Sequence, residues 1–386
     1  MLPADPIQAV THPDPYPYYR MLAHERPLYH DPTLNLWIAS TPAWISAVLD
    51  HGDARVRPAQ EPVPPALRDG AAGLLFGRFV RMRDGPGHAG LKPLLADCLL
   101  ALRPAASPCW PALPRGLPAL DDFLDDAPVY TMARHLGLAQ QAVQACAHDL
   151  RRFRAALDPA AGADSIAAGH AAAARLQSTL IAHLDAQADG TPLGRLRNRA
   201  ARAGIEPAVI AANLAGLLFQ SCEAGAGLIG NTLVALGRNP ALAAQARHDG
   251  GVCLRMASHA ARHDPSVHNT RRYLRAPIAL GGHVLPAGAT VLLVLAAAGA
   301  LQPGERDTPW TFGAGRHACP GHAPAIHAAG LAVAHLLHGG LDPAALVPGL
   351  RYRPLPNARV PRFGEAASNP WRAGLSGPSS PGAAWP

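Results

Sequence analysis

Residues Thr311 to Gly321 read TFGAGRHACPG. They set one cysteine, Cys319, between a Phe-Gly-x-Gly turn and a Pro-Gly that opens an Ala- and His-rich run. Gly313 and Gly315 permit backbone angles and close approaches that a side chain forbids, and Pro320-Gly321 leads into a helix predicted from about His322 to His338. A cysteine at a helix N-terminus meets free N–H groups and the positive end of the helix dipole, which favour thiolate over thiol. That is the chemistry of a metal ligand. The competing reading is a buried cysteine acting as a small hydrophobe.

A second candidate lies in the segment Glu206 to Gly237. Between Pro207 and Gly237 only Glu223 is charged, so the predicted helix, on the order of 45 Å long, is apolar all round and should cross the interior. A carboxylate at its middle needs a reason, and one is that it is a buried acid satisfied by backbone or arginine partners. A third candidate is the pair His88 and Lys92, four residues apart and therefore on one helix face. By itself such a pair reads as a solvated face.

The elements that must position these groups follow from punctuation and periodicity. Asp14 to Glu25 reads as a short helix, Leu28 to Ser40 as a hairpin, and Thr41-Pro42 as the start of the next helix. A helical pattern runs from about Arg83 to Arg272, broken at Asp158 to Asp164, Ala188 to Pro192 and Gly237 to Pro240. Tyr273 to Leu285 and Thr290 to Leu295 read as strands. His322, His327, His335 and His338 read as a polar helix face, and Arg316 as a surface residue. After Phe363 the composition turns to Gly, Pro, Ser and Ala, the pattern of a mobile tail.

Composition limits the function classes. The 386 residues are 49% hydrophobic, enough for a large core, and only 5% aromatic, with 40 Pro and 37 Gly. The fold expected is mainly α with a small β subdomain. A net charge of +7 is carried by scattered Lys and Arg without an aromatic-interleaved basic motif, which argues against nucleic acid. A basic docking face for an acidic protein is the alternative to a merely solvated surface. The six cysteines form no CxxC pair, and the first residues carry no signal-like apolar run. These features read as a soluble cytoplasmic protein without a membrane partner.

Phe312-Gly313-x-Gly315-x-His317-x-Cys319-x-Gly321 resembles the haem-ligand loop of the cytochrome P450 family, and other segments follow that family's order from about Asp14 to Phe363. The resemblance implies a single P450-like domain over residues 1–364, with 365–386 as a flexible extension. It implies haem b, its iron axially ligated by the Cys319 thiolate, with Phe312, Gly313 and Gly315 shaping the loop and His317, His88, Lys92 and Arg272 reaching the haem propionates. It implies monooxygenation of a small apolar substrate or biosynthetic intermediate, free or bound to a carrier protein, with electrons ultimately from NAD(P)H through a ferredoxin. Residues 60–77 and the helices around Asp158 correspond to the family's lid elements.

Three features depart from that pattern. The family's acid-alcohol pair for proton delivery has Glu223 as its acid, but Ala224 stands at the threonine position, and Gln220 and Ser221 replace two small residues. The family's Glu-x-x-Arg appears as His259-Ala-Ala-Arg262, so either a neutral His259 accepts a hydrogen bond or another acid, Asp264 or Glu305, takes the glutamate's place. The stretch between Ala298 and Phe312 is shorter than the family's. The departures keep open a non-standard reaction (oxidative coupling, dehydration, rearrangement or peroxide-driven turnover) and a catalytically silent module holding haem or a carrier-bound intermediate.

Overall fold

The computed structural model describes residues 2–102, 110, 113, 116–302, 304 and 306–364. The expected tail after Gly364, Cys109 and Glu305 lie outside the described residues. Helices come first and dominate: α1 (Tyr16–Glu25), α2 (Pro42–Asp50), α3 (Ala71–Gly77), α4 (Pro86–Ala101), α5 (Leu117–His135), α6 (Gln140–Ala156), α7 (Ala163–Asp185) and α8 (Pro192–Arg202). They are followed by α9 (Pro207–Gly237), α10 (Pro240–Ala246), α11 (Gly250–His263), α12 (Leu295–Leu301) and α13 (His322–His338). Proline stands in the first turn of α2, α8, α9 and α10, where its missing N–H costs nothing and its fixed φ suits the helix.

The strands are short. β1 (Leu28–Asp31), β2 (Leu36–Ala39), β3 (Ala54–Arg55), β4 (Thr270–Leu274) and β7 (Thr290–Leu293) form one sheet in the order β1-β2-β7-β4-β3, while β5 (Ile278–Leu280) with β6 (His283–Leu285), and β8 (Arg351–Tyr352) with β9 (Pro361–Arg362), make two-stranded pairs. The β2–β7 pairing is parallel, aligning Ile38 with Leu292, whereas β4 returns antiparallel and sets Arg272 opposite Val291. That pairing anchors Arg272.

Two strand readings change. The segment Tyr273 to Leu285 is three pieces, because Gly281 and Gly282 take positive φ (+59° and +78°) and turn the chain into the β5–β6 hairpin. The stretch Thr290 to Leu295 leaves the sheet after Leu293 and enters α12. The helical pattern likewise ends at His263 rather than Arg272, since β4 begins at Thr270.

The helix α9 is long and apolar enough to cross a membrane by length and composition, yet most of it packs inside the protein. It runs between α5, α7, α11 and α13, and its positions Gln220, Ser221, Glu223, Ala224 and Gly225 face an internal cavity. Gly225 sits where α5 crosses: a Cβ there would come within 2.6 Å of Pro128 Cβ. The helices α6 and α7 pack together across residues 157–162.

Candidate active site

The cavity, about 370 Å³ in volume, is enclosed by α4, α5, α9, the β4 region and the loop before α13. Of the residues assigned from sequence to the haem loop, the propionates and the proton path, all but Gly315 line it: Glu223, Gln220, Ser221, Ala224, Phe312, Gly313, His317, His88, Lys92, Arg272 and Cys319. Gly315 acts on the outer side of the loop, where φ is +61° and a Cβ would meet Asp50 Oδ1 at 2.5 Å. Gly313 also has positive φ, +70°. Two turns that only glycine takes easily thus fold the loop back, and the Cys319 N–H closes it by donating to Phe312 O at 2.8 Å.

Helix α13 starts directly after this loop, with Gly321 as its N-cap. Burial nonetheless pushes the Cys319 thiol above its usual range, against the Gly321 N–H and the fields of Lys92 and Arg81, which pull it down. The helix terminus thus pulls the thiol toward thiolate and burial opposes it. Desolvation wins in the protein alone, and a cation at the sulfur is what would reverse it.

The side of the cavity by this loop is built from hydrogen bonds between distant segments. His317 Nε2 donates to Asp84 Oδ1 at 3.1 Å, and Asp84 Oδ2 accepts the Val56 N–H at 2.9 Å. The His88 and His317 rings lie 4.2 Å apart, and Lys92 Nζ donates to the Arg316 carbonyl. Burial, followed by the neighbouring His317 and Lys92, lowers the His88 pKa to about 4. Burial lowers Lys92 to about 8, and Arg272, desolvated and beside Arg81, to about 10. Arg272 is 5% exposed, and its Nε has no hydrogen-bond partner. Arg316 is part-buried rather than on the surface: its guanidinium donates to the carbonyls of Asp50, His51 and Ala54, tying the loop to the end of α2.

On the opposite wall, α9 presents polar groups that are already engaged. Gln220 Nε2 donates to Gly216 O at 2.9 Å, and Ser221 Oγ to Leu218 O at 2.7 Å. Glu223 Oε1 accepts from Arg154 Nη2 of α6 at 2.7 Å, so this acid has an arginine partner as well as a place in the cavity wall. Ala224 adds only a methyl.

Comparison with known proteins follows from this geometry. No family model matches. The chain is 32% identical over 128 residues to cytochrome P450 133B1 of Xylella fastidiosa strain 9a5c, a match covering 30% of this chain and 32% of that protein. It is 31% identical over 129 residues to cytochrome P450 133B2 of the same organism. The chain thus spans about a third of the length of these curated relatives. Solved structures match nearly end to end: CalO2 at 22% identity with TM-score 0.67, covering 94% of this chain and 99% of that one. P450BioI, in complex with acyl carrier protein ligated to hexadec-9Z-enoic acid, matches at 17% identity with TM-score 0.66, covering 91% and 98%. Mycobacterium smegmatis CYP164A2 with econazole bound matches at 24% and 0.61, covering 93% and 96%.

This chain has the cytochrome P450 fold. In the P450 frame α9 is the long central helix and α13 the helix after the cysteine loop. The residues present fit a haem: one sulfur in the wall of a largely apolar cavity, cationic Arg272 and Lys92 to one side, and an orphaned Arg272 Nε awaiting an acceptor. Such a donor set suits a flat apolar macrocycle with carboxylate arms, Cys319 holding the iron and Arg272, Lys92, His88 and His317 its propionates.

At the Glu-x-x-Arg departure, Arg262 has backbone acceptors among the described residues, Glu305 lying outside them. Arg262 donates to the carbonyls of Arg306 and Asp307 at 2.7 and 2.8 Å, so it still anchors the shortened loop. Asp264 is spent elsewhere, accepting from Arg359 Nε at 2.8 Å and Tyr16 OH at 2.7 Å. The His259 ring packs 4.2 Å from that of His263. The histidines of α13 do not form one polar face either: His322 lies against Phe312, and His335 between Trp110 and Phe123, while His327 lines the cavity.

Sequence reasoning missed Arg81, Asp84's part in the His317 contact, and Arg154. Arg154 belongs to a run, Arg151-Arg152-Phe153-Arg154, in which Phe153 is fully buried. A burial period anchored on Phe153 leaves its neighbours' directions open, so no spacing pointed Arg154 inward.

Proposed function

We infer that this protein is a haem-thiolate oxidoreductase, acting as a monooxygenase on a small apolar molecule or biosynthetic intermediate. The observation that carries this reading is the placement of Cys319 in the wall of a cavity whose other side is α9 from Gln220 to Gly225. When bound, the haem would supply oxygen activation, its electrons coming from NAD(P)H through a ferredoxin-type donor. The chain's own residues would hold it and shape the space around it: Cys319 at the iron, Arg272, Lys92, His88 and His317 at the carboxylates, and Phe76, Phe219 and Leu295 as apolar wall. Glu223 is the proton-carrying group on α9, oriented by Arg154. A carrier-bound substrate is supported by the P450BioI likeness, since that protein is seen with an acylated carrier.

A second reading, a non-standard reaction by the same haem, is favoured by the α9 wall. With Ala224 in place of an alcohol, and Gln220 and Ser221 donating to their own helix, no hydroxyl on this turn is free to pass a proton. The test of the first reading is a reduced carbon monoxide difference spectrum of the haem-loaded protein, with Cys319→Ala beside it. A thiolate band that the variant loses is expected; the same band in the variant would remove Cys319 from its role. Turnover driven by a ferredoxin system, compared with peroxide, then separates the two chemistries.

A further inference from the structure

Arg81 lies in the short 3-10 turn Val80–Met82 between α3 and α4 and lines the same cavity as Cys319 and Glu223. Its side chain is accessible, yet protein surrounds it, so the surface it exposes is that of the cavity. Among the described residues it has neither a hydrogen bond nor an ion pair. The carboxylate that acts on it, Glu223, is already paired with Arg154. The nearby wall is apolar, with Val80, Met82, Leu95 and Phe219.

A guanidinium without a counter-ion in such a place is costly. An anion brought in with a ligand removes that cost, and the planar fork of arginine matches a carboxylate bidentately. We propose that Arg81 anchors the carboxylate of an acidic substrate inside the cavity. The proposal rests on the haem-thiolate reading and narrows its substrate class to apolar acids. Arg272 and Lys92 are assigned to the porphyrin's own carboxylates, and Arg81, beside Arg272 and lining the same cavity as the α9 wall, is the further cation there. Burial lowers its pKa from the ordinary arginine value, as expected for a charge lacking a partner.

The same chemistry has two sources, a substrate acid and a haem propionate, and the experiment separates them. Octanoate and octanol are titrated into the haem-loaded wild type, Arg81→Lys and Arg81→Leu, with binding followed by calorimetry. Haemin and its dimethyl ester are titrated into the haem-free forms, followed by haem absorbance. The expected result is that the wild type prefers octanoate over octanol by about tenfold or more. Arg81→Lys keeps part of that preference and Arg81→Leu loses it, while octanol and haemin affinities stay unchanged and show the variant is folded. An unchanged octanoate preference in Arg81→Leu overturns the proposal. So does a variant that loses only its preference for haemin over the ester, which would assign Arg81 to the propionates. If the wild type takes up no haemin, the haem reading itself fails, and the octanoate titration on the haem-free protein still decides the role of Arg81.

Discussion

Arg154 of α6 and Glu223 of α9 meet at 2.7 Å inside the cavity wall, joining a lid helix to the middle of the central helix. Burial alone would lower the Arg154 pKa, but Cys222, Glu223 and Asp125 outweigh it and hold the guanidinium above its ordinary value. Asp125 lies behind the pair, bound in turn by Arg353 at 3.4 Å and Arg362 at 2.7 Å. The acid that would carry a proton is therefore the inner end of a charge chain reaching β8 and β9.

Removing one partner tests that chain. The side chain of Arg154 is 10% exposed and that of Glu223 34%, so part of the charge is already screened. Glu223→Gln should cost about 1–3 kcal/mol of stability by leaving the Arg154 charge under-compensated. The double variant Arg154→Met, Glu223→Gln should recover much of the loss, read as the coupling term in urea unfolding. Additive losses would show that the pair contributes nothing beyond its separate residues.

Restoring an alcohol at position 224 tests the proton path. Ala224 lines the cavity one residue from Glu223. Ala224→Thr should therefore raise the share of consumed electrons recovered as hydroxylated product several-fold, since a positioned hydroxyl can pass a proton where a methyl cannot. The measurement is NAD(P)H consumed against product formed. Lower native turnover with unchanged electron coupling would instead favour the non-standard chemistry.

The elements carrying the candidate site were legible where strong local rules act. Pro207 and Gly237 bound α9, and His322 and His338 bound α13, at the positions that proline, glycine and apolar pattern indicate. The cysteine loop was legible because its glycines answer a backbone demand. The cavity's charges were not. Arg81 and Arg154 are placed by tertiary packing, and a local pattern of alternating Arg and apolar residues is the same whether the arginine faces water or a cavity. The partners of Arg262 were hidden for a related reason: its acceptors are backbone carbonyls, which every residue has and no sequence advertises. The β5–β6 turn was misread because a Gly-Gly inside an apolar run fits a strand until both glycines take positive φ.

Packing of α5 on α9 gives a stability prediction close to the site. With Pro128 ring atoms 2.6 and 2.7 Å from where a Gly225 Cβ would stand, neither helix backbone can yield locally. Gly225→Ala should lose about 1–3 kcal/mol through overpacking, outweighing the roughly 1 kcal/mol that alanine gains over glycine in a helix. Denaturant midpoints of the haem-free proteins would measure it, and a midpoint at or above wild type would mean the two helices separate freely.

A pH dependence remote from the haem site follows from His268. It is fully buried, its Nδ1 is 2.7 Å from Tyr19 OH, and the charged groups facing it are Arg359 and, through Arg359, Asp264. Burial and then the Arg359 charge push its pKa well below the ordinary histidine value, with the Pro265 carbonyl opposing. The folded state thus keeps His268 neutral where the unfolded chain takes up a proton near pH 6.5. Its contribution is complete above pH 6.5 and is lost as pH falls from there toward the depressed folded value, by at most about 1.4 kcal/mol per pH unit. His268→Gln retains an acceptor for Tyr19 but cannot titrate. Between pH 7.5 and 5.5 the wild type should lose on the order of 1 kcal/mol more than this variant in urea unfolding, other titrating groups cancelling between the two. Parallel losses would mean that His268 charges in the folded protein, with Asp264 or water reaching it.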